Sequence, residues 1–194
     1  MKKIIILVIT FLSISSVKAQ DSKAYLGVSL GYAIPGGDGS ENLNSGINLG
    51  FINFGYHFSK EWGATLNLTS SGFSFKNSAN GSALGIAAFS VGPMYTASLS
   101  DKLSLDLKPQ YAFSVAGVRK DIPIGTTKYD ATYKGTGFVF GSSLNFGVTK
   151  GFKLSLNLDY ASFKFTEVEF AGTTASVNTS ANQFVLGAGL RYNF

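Results

Sequence analysis

The sequence predicts an all-β protein, an eight-stranded antiparallel up-and-down β-barrel formed by a single domain. Three observations support this prediction. Apolar and polar residues alternate with a period of two from Ala24 onward, the alternation falls into eight segments, and the connections between the segments are long and short in turn. Connections alternate in length in this way when an up-and-down barrel has both termini at its short-turn end.

The first nineteen residues have the pattern of a cleavable signal peptide. Lys2-Lys3 precedes an apolar run from Ile4 to Leu12, and Val17-Lys18-Ala19 is a small-x-small cleavage motif. This apolar run is too short for a transmembrane helix, which needs about 20 residues. We therefore expect residues 1–19 to be removed on export and residues 20–194 to form the barrel domain.

The composition excludes several kinds of function. Cysteine is absent, so the chain has no disulfide framework and no thiolate metal site. Three of the sixteen basic residues lie in the leader, and the remaining 13 basic and 11 acidic groups give a net charge of only +2. That balance is not the strongly basic footprint of a nucleic-acid-binding protein. The loop 36–42 lacks the ligand spacing of a Ca²⁺ loop, and we expect no metal and no cofactor.

Each predicted strand is justified by its own alternation, which is clearest in LSLDLKPQYAFS at 103–114. Most segments have 11 to 14 residues, and a tilted strand needs roughly 9–11 residues to cross a bilayer. The lengths therefore predict membrane-spanning strands with protruding ends. In chain order the strands are predicted at 24–34, 46–58, 62–75, 83–97, 103–115, 136–148, 152–165 and 183–194.

Two places depart from regular pairing. Pro93 and Pro109 lie inside strands four and five, where a closed barrel needs every backbone N–H paired, so we predict a local bulge in that hairpin. In strand two the apolar positions change parity between Phe51 and Ile52, which also predicts a bulge.

The polar face of the strands predicts a narrow, filled lumen. It is rich in glycine, serine and asparagine, whereas a water-facing surface is ~25–35% charged. Because a buried charge is costly unless paired, we expect the few charges on this face to form an ion-pair and hydrogen-bond network. Paired carboxylates for acid–base chemistry are the alternative, which the balance of opposite charges disfavours. The charged members are Asp106, Lys108, Lys153, Asp159 and Arg191.

The apolar face carries aromatic residues near both strand ends, as in the interfacial girdles of membrane barrels. At the short-turn rim these are Tyr56, Phe58, Trp62, Tyr95, Phe152, Tyr192 and Phe194. At the long-loop rim they are predicted to be Tyr32, Phe73, Phe75, Tyr111, Phe113, Phe138, Tyr160, Phe163, Phe165 and Phe184. The pattern favours a transmembrane barrel, with a lipocalin-like soluble periplasmic carrier of hydrophobic ligands as the alternative.

The leader, the eight alternating strands, the rhythm of turns and loops and the final RYNF resemble the small outer-membrane β-barrel family of Gram-negative bacteria, of the OmpA/OmpX type. The resemblance implies a monomer in the outer membrane, surrounded by lipid and lipopolysaccharide. It also implies that Leu190, Tyr192 and Phe194 form an assembly signal read by the barrel-assembly machinery.

That family includes anchors, adhesins and a few lipid-modifying enzymes, so the resemblance implies architecture more than activity. We expect a structural, adhesive or surface-interaction role for four surface loops, chiefly 116–135 and 166–182, and no catalytic residues. A lipid-modifying enzyme is the alternative. The single histidine, His57, is its candidate base, but is predicted to face inward at the periplasmic end, whereas the deacylases of this fold place their triad facing lipid near the outer leaflet.

Overall fold

The computed structural model of the protein describes residues 23–76, 82–124 and 127–194, so the predicted signal peptide lies outside the described residues. Eight strands form one closed barrel in which each strand pairs with the next and β1 pairs with β8. No helix in the described ranges is long and apolar enough to cross a membrane. The strands are β1 (Ala24–Gly37), β2 (Gly46–His57), β3 (Trp62–Ser74), β4 (Ala83–Ser98), β5 (Leu103–Ile124), β6 (Thr127–Gly147), β7 (Phe152–Phe170) and β8 (Thr173–Asn193).

The first and last strands complete the ring. They are antiparallel and in continuous register from Tyr25 opposite Asn193 to Gly37 opposite Ala181. At the end of the ladder, the Phe194 N–H donates to the Ala24 carbonyl at 2.9 Å. Closure leaves no strand edge in the membrane, where each unpaired backbone group would cost several kcal/mol. The predicted fold class is confirmed.

The bulge predicted in β2 is confirmed, and the β4–β5 hairpin has a bulge as predicted, although it does not lie at the prolines. The β2–β3 register shifts between Gly50 and Ile52. Around Pro93 and Pro109 the ladder is interrupted, but the same register resumes on both sides of the gap. The shift in this hairpin comes earlier, between Phe89 and Ser90. A missing N–H removes one ladder bond without requiring an extra residue, which explains an interruption without a bulge.

Two segments predicted as loops are instead strand. Residues 116–124 and 127–135 continue β5 and β6, and 166–170 and 173–182 continue β7 and β8. The β7–β8 connection is only Ala171-Gly172, both with positive φ (49° and 77°), as a tight hairpin turn requires. In the outer part of the β7–β8 hairpin both faces are largely exposed, so the alternation that marks a strand in the sequence disappears although the pairing continues.

The two faces of the barrel have opposite character. Large apolar side chains such as Leu30, Leu156 and Phe138 point outward and are exposed, and polar side chains such as Asn145, Thr65 and Asp106 are buried inside. A lipocalin-like barrel would have the reverse arrangement, so the soluble-carrier alternative is wrong.

Four aromatic residues assigned to the outer girdle pack toward the interior instead, and one of them, Phe75, is partly buried against the cluster that contains the other three. Phe73, Phe163 and Phe165 are buried in an apolar cluster with small and branched residues, in the half of the interior nearer the long hairpins. Their positions have the same parity as inward polar residues on the same strands, such as Asn157 on β7, and no bulge intervenes. A strand cannot transfer a side chain to the other face without a bulge.

Candidate functional site

The interior nearer the short turns is organised around one buried ion pair. Arg191 Nη1 on β8 donates to Asp106 Oδ2 on β5 at 2.5 Å, and the side chains of Asp106 and Arg191 are 0% and 5% exposed. Thr96 Oγ1 donates to the other carboxylate oxygen at 2.8 Å, and Asn145 Nδ2 donates to Oδ2 at 2.9 Å. These residues point inward because alternate residues of a strand share one face, and closure of the barrel places β8 across the lumen from β5.

The arginine is also held from two further sides. Its Cζ lies 3.7 Å from the centre of the Tyr25 ring, a cation–π contact, and its Nε donates to Asn193 Oδ1 at 3.0 Å. The Tyr25 hydroxyl donates in turn to Met94 Sδ at 3.3 Å. Tyr25 is not among the predicted site residues, although its parity with the glycines of β1 indicates that it faces inward.

Lys108 joins the network through hydroxyl and amide groups rather than through an ion pair. Its Nζ donates to Ser143 Oγ at 2.6 Å, and Ser143 Oγ donates to Asn157 Oδ1 at 2.7 Å. The sequence marked Lys108 as a charge to be neutralised. In the structure its ammonium group donates to a neutral hydroxyl of β6, and the carboxylates of Asp106 and Asp159 lie nearby without forming an ion pair with it.

The other two predicted members do not join the ion pair. Asp159 packs against Gly141, where the missing side chain leaves room for its carboxylate. Lys153 lies near the short-turn opening of the barrel. Within the described part of the chain, neither side chain forms an ion pair or a hydrogen bond. The five predicted charges are thus all inward, but only Asp106 and Arg191 are in direct contact.

A neutral polar cluster, whose members are not among the predicted site residues, links β3, β4 and β5. Asn67 Nδ2 donates to Gln110 Oε1 at 3.0 Å, and Ser90 Oγ donates to the same oxygen at 3.2 Å. These groups and the apolar cluster all lie inside the barrel. Beside the Asp106–Arg191 pair a cavity of about 10 Å³ remains, roughly the space of one water molecule.

His57 contacts this network through Thr96. Its Nε2 lies 3.0 Å from Thr96 Oγ1, whose single proton is donated to Asp106. The histidine nitrogen must therefore donate to the hydroxyl, and it cannot accept that proton as a general base would. In the described ranges, no group of three or more His, Cys, Asp or Glu side chains could hold a metal ion.

At the opposite end, the β1–β2 connection is fastened to the β7–β8 hairpin. Asp38 Oδ2 accepts from the Ser180 N–H at 2.8 Å and from the Ser180 hydroxyl at 3.0 Å. These bonds, the backbone one first, lower the pKa of the Asp38 carboxyl below its usual value. These bonds attach the β8 side of the hairpin to the β1–β2 connection.

The short-turn opening forms a vestibule lined by cations. Its volume is about 480 Å³, and four lysines and one arginine line it: Lys23, Lys60, Lys150, Lys153 and Arg191. His57 and Ser104 also line it, and none of the described lining residues is acidic.

A closed eight-stranded barrel with an apolar outer face and buried polar groups inside is typical of an integral outer-membrane protein. Residues 4–194 match the outer membrane protein beta-barrel domain family, and the chain belongs to this family. The protein is located in the outer membrane of a Gram-negative bacterium. Outer-membrane barrels have short periplasmic turns, so the vestibule opens toward the periplasm and the long hairpins extend outside the cell.

Solved structures with the same fold are only distantly similar in sequence. Ail, the attachment invasion locus protein of Yersinia pestis, is 17% identical with a TM-score of 0.53, covering 89% of this chain and 99% of that one. Neisserial surface protein A is 14% identical with a TM-score of 0.57, covering 88% and 97%. OprG of Pseudomonas aeruginosa is 12% identical with a TM-score of 0.54, covering 92% and 99%. No relative of curated function was detected by sequence.

Proposed function

We propose that the protein is a monomeric, non-conducting outer-membrane barrel that acts in surface recognition or adhesion through its β5–β6 and β7–β8 hairpins. The observation that carries this proposal is strand length. β5 to β8 have 19 to 22 residues, whereas β2 and β3 have 12 and 13. A crossing takes roughly 9–11 residues, so much of each hairpin extends beyond the membrane.

The two hairpins pair with each other and present one surface. The β6–β7 ladder continues to Ala131 opposite Phe170, so four strands protrude as a single sheet. A paired sheet loses less conformational entropy on binding than two separate flexible loops would. The outer part of β8 is exposed and rich in threonine, serine and asparagine, a composition suited to polar contacts with a partner. The names of Ail and of Neisserial surface protein A are consistent with such a role.

Truncated hairpins test the recognition role. In one variant Asn-Gly replaces residues 120–130, which lie between the paired Arg119 and Ala131; in a second it replaces 166–178, which lie between the paired Phe165 and Thr179. We expect bacteria that express either variant to adhere less to an epithelial monolayer than bacteria with the full barrel. The control replaces only the turn Ala171-Gly172 with Asn-Gly and keeps the hairpin. Equal adhesion by truncated and full-length barrels would contradict the proposal.

The contacts inside the barrel support the absence of a pore. The ion-pair network, the neutral polar cluster and the apolar cluster succeed one another along the lumen, and the cavity beside the ion pair has room for about one water molecule. We expect no steady openings in planar-bilayer recordings of the purified barrel. Regular single-channel steps would show that these side chains leave a continuous path.

We further propose that the protein is not an enzyme, because the Nε2–H of His57 donates a hydrogen bond to Thr96 within the interior network. The test is His57→Ala followed by mass spectrometry of lipid A from expressing cells. We expect identical spectra with the wild type and the variant. A lipid A modification that depends on His57 would support the lipid-modifying alternative.

A further inference from the structure

We propose that the periplasmic vestibule is a binding site for a multivalent anion that carries phosphate or carboxylate groups. This site lies at the opposite end of the barrel from the hairpins, and it does not depend on the proposed surface role. Three observations support the proposal: the lining is positively charged, its lysines have no acidic partner among the described lining residues, and one buried hydroxyl there has no hydrogen-bond partner.

The charge of the vestibule is of one sign. Arg191 is paired with Asp106, but the four lysines in the lining have no acidic neighbour among the described lining residues. The acidic residues of the periplasmic turns, Glu61 and Asp101, are exposed and do not line the space. Walls of low dielectric concentrate such a field, and an anion entering the vestibule is attracted by several cations at once.

Lys153 is the only one of these four lysines that lies on a strand, since it is the second residue of β7 and its side chain points into the barrel. It is only partly exposed, and its ammonium group has no hydrogen bond or ion pair in the described part of the chain. Holding an unpaired ammonium in a protein-walled space is unfavourable unless an anion compensates it. An anionic ligand would supply that compensation.

Ser104 provides a second, independent indication of a ligand. Its side chain is buried and lines the vestibule, and its Oγ has no hydrogen-bond partner. Buried hydroxyls nearly always have a partner, and a phosphate or carboxylate oxygen would accept from this one. The combination of lysine ammonium groups and a free hydroxyl matches the donor set that oxyanions require.

The size of the vestibule points to a multivalent occupant. About 480 Å³ is much more than a single inorganic phosphate needs. Lysines on the β2–β3 turn, the β6–β7 turn and the N-terminal segment surround the space, so an anion with several charged groups would engage more than one of them. Pyrophosphate and citrate are suitable soluble probes of the two chemistries.

Calorimetric titration of the refolded mature barrel with pyrophosphate and with citrate tests the site. We expect binding that weakens as salt increases, and a rise in Kd of roughly tenfold or more for Lys153→Gln, because one charge-assisted contact is lost. Lys102→Gln is the matched control, since it removes the same charge from a neighbouring periplasmic turn outside the lining, and should leave Kd unchanged. No binding of either probe, or equal weakening by both variants, would overturn the proposal.

Two further experiments complete the test: a second variant and a change of lipid composition. The variant Lys60→Gln/Lys150→Gln changes only exposed turn residues, so it reports on the site even if Lys153→Gln does not fold; unchanged affinity in this variant would also overturn the proposal. Nanodiscs with and without phosphatidylglycerol distinguish the source of the anion. If phosphatidylglycerol weakens binding of the soluble probe, the occupant of the site is a lipid headgroup. If phosphatidylglycerol leaves the Kd of the probe unchanged, the occupant is a soluble periplasmic anion.

Discussion

Removing the arginine of the buried ion pair should destabilise the barrel strongly. In Arg191→Met the stem is replaced by a chain of similar length, but Asp106, 0% exposed, loses its only ion-pair partner among the described residues. Breaking one side of a buried pair typically costs about 3–5 kcal/mol. We expect the lower end, about 3 kcal/mol, because Asp106 keeps hydrogen bonds from Thr96 and Asn145 and lies near the positive Lys108.

The free energy of unfolding is measured by reversible urea titration of the refolded barrel in lipid or detergent. Fluorescence of Trp62, the only tryptophan, and heat-modifiable gel mobility report the folded fraction. The double variant Asp106→Asn/Arg191→Met should be less destabilised than the sum of the single variants, since it leaves no unpaired charge.

The exposed ion pair on the extracellular hairpins provides the control. Lys134 Nζ and Glu169 Oε2 lie 3.4 Å apart, and both side chains are about half exposed. Because such pairs contribute only about 0–1 kcal/mol, Lys134→Gln should change the unfolding free energy by less than 1 kcal/mol. If Arg191→Met cost no more than Lys134→Gln, the interior ion pair could not be a main source of stability.

Three further predictions concern packing and assembly. Gly92→Ala should destabilise by about 1–3 kcal/mol in the same urea assay, because its Cβ would collide with a carbonyl of β5, whereas Gly72→Ala, which meets nothing within 4 Å, should be neutral. Phe163→Ala should cost about 3–5 kcal/mol through the cavity it leaves, and the outward Phe138→Ala, 69% exposed, should cost less; similar losses would place the two rings in equivalent surroundings. Deleting Phe194 should lower the amount of folded barrel in cells but leave refolding in vitro nearly unchanged, and parallel loss in both would argue against an assembly signal.

The membrane-crossing part of the fold could be predicted from the sequence because each strand there separates lipid from a packed interior. The alternation at the start of β5 shows this separation: Leu103, Leu105 and Leu107 lie on one face, and Ser104 and Asp106 lie on the other. Outside the membrane the contrast disappears, and the TTASVNTSAN segment of β8 is identifiable only by its threonine and valine content. Strand propensity without alternation did not distinguish that hairpin from a loop.

The interior charges illustrate a different limit. Parity placed Asp106 and Arg191 in the lumen, but they are 85 positions apart, and alternation does not determine which inward residues share the same height. That height depends on strand tilt and on the stagger between strands, which are properties of the closed ring. For Phe163 and Phe165 the parity was available, and the prediction failed because apolar character was given more weight than strand geometry.

The position of the ion pair connects barrel closure with charge neutralisation. Asp106 is on β5 and Arg191 on β8, so the pair forms only when the last strand is in place. The same strand supplies the backbone partners of β1 along an unbroken ladder. Until β8 docks, the barrel has both an open edge in the membrane and a carboxylate without its guanidinium, and each is unfavourable in hydrocarbon. Docking removes both penalties in one step, which makes a partly closed barrel with β8 detached unfavourable on two independent grounds.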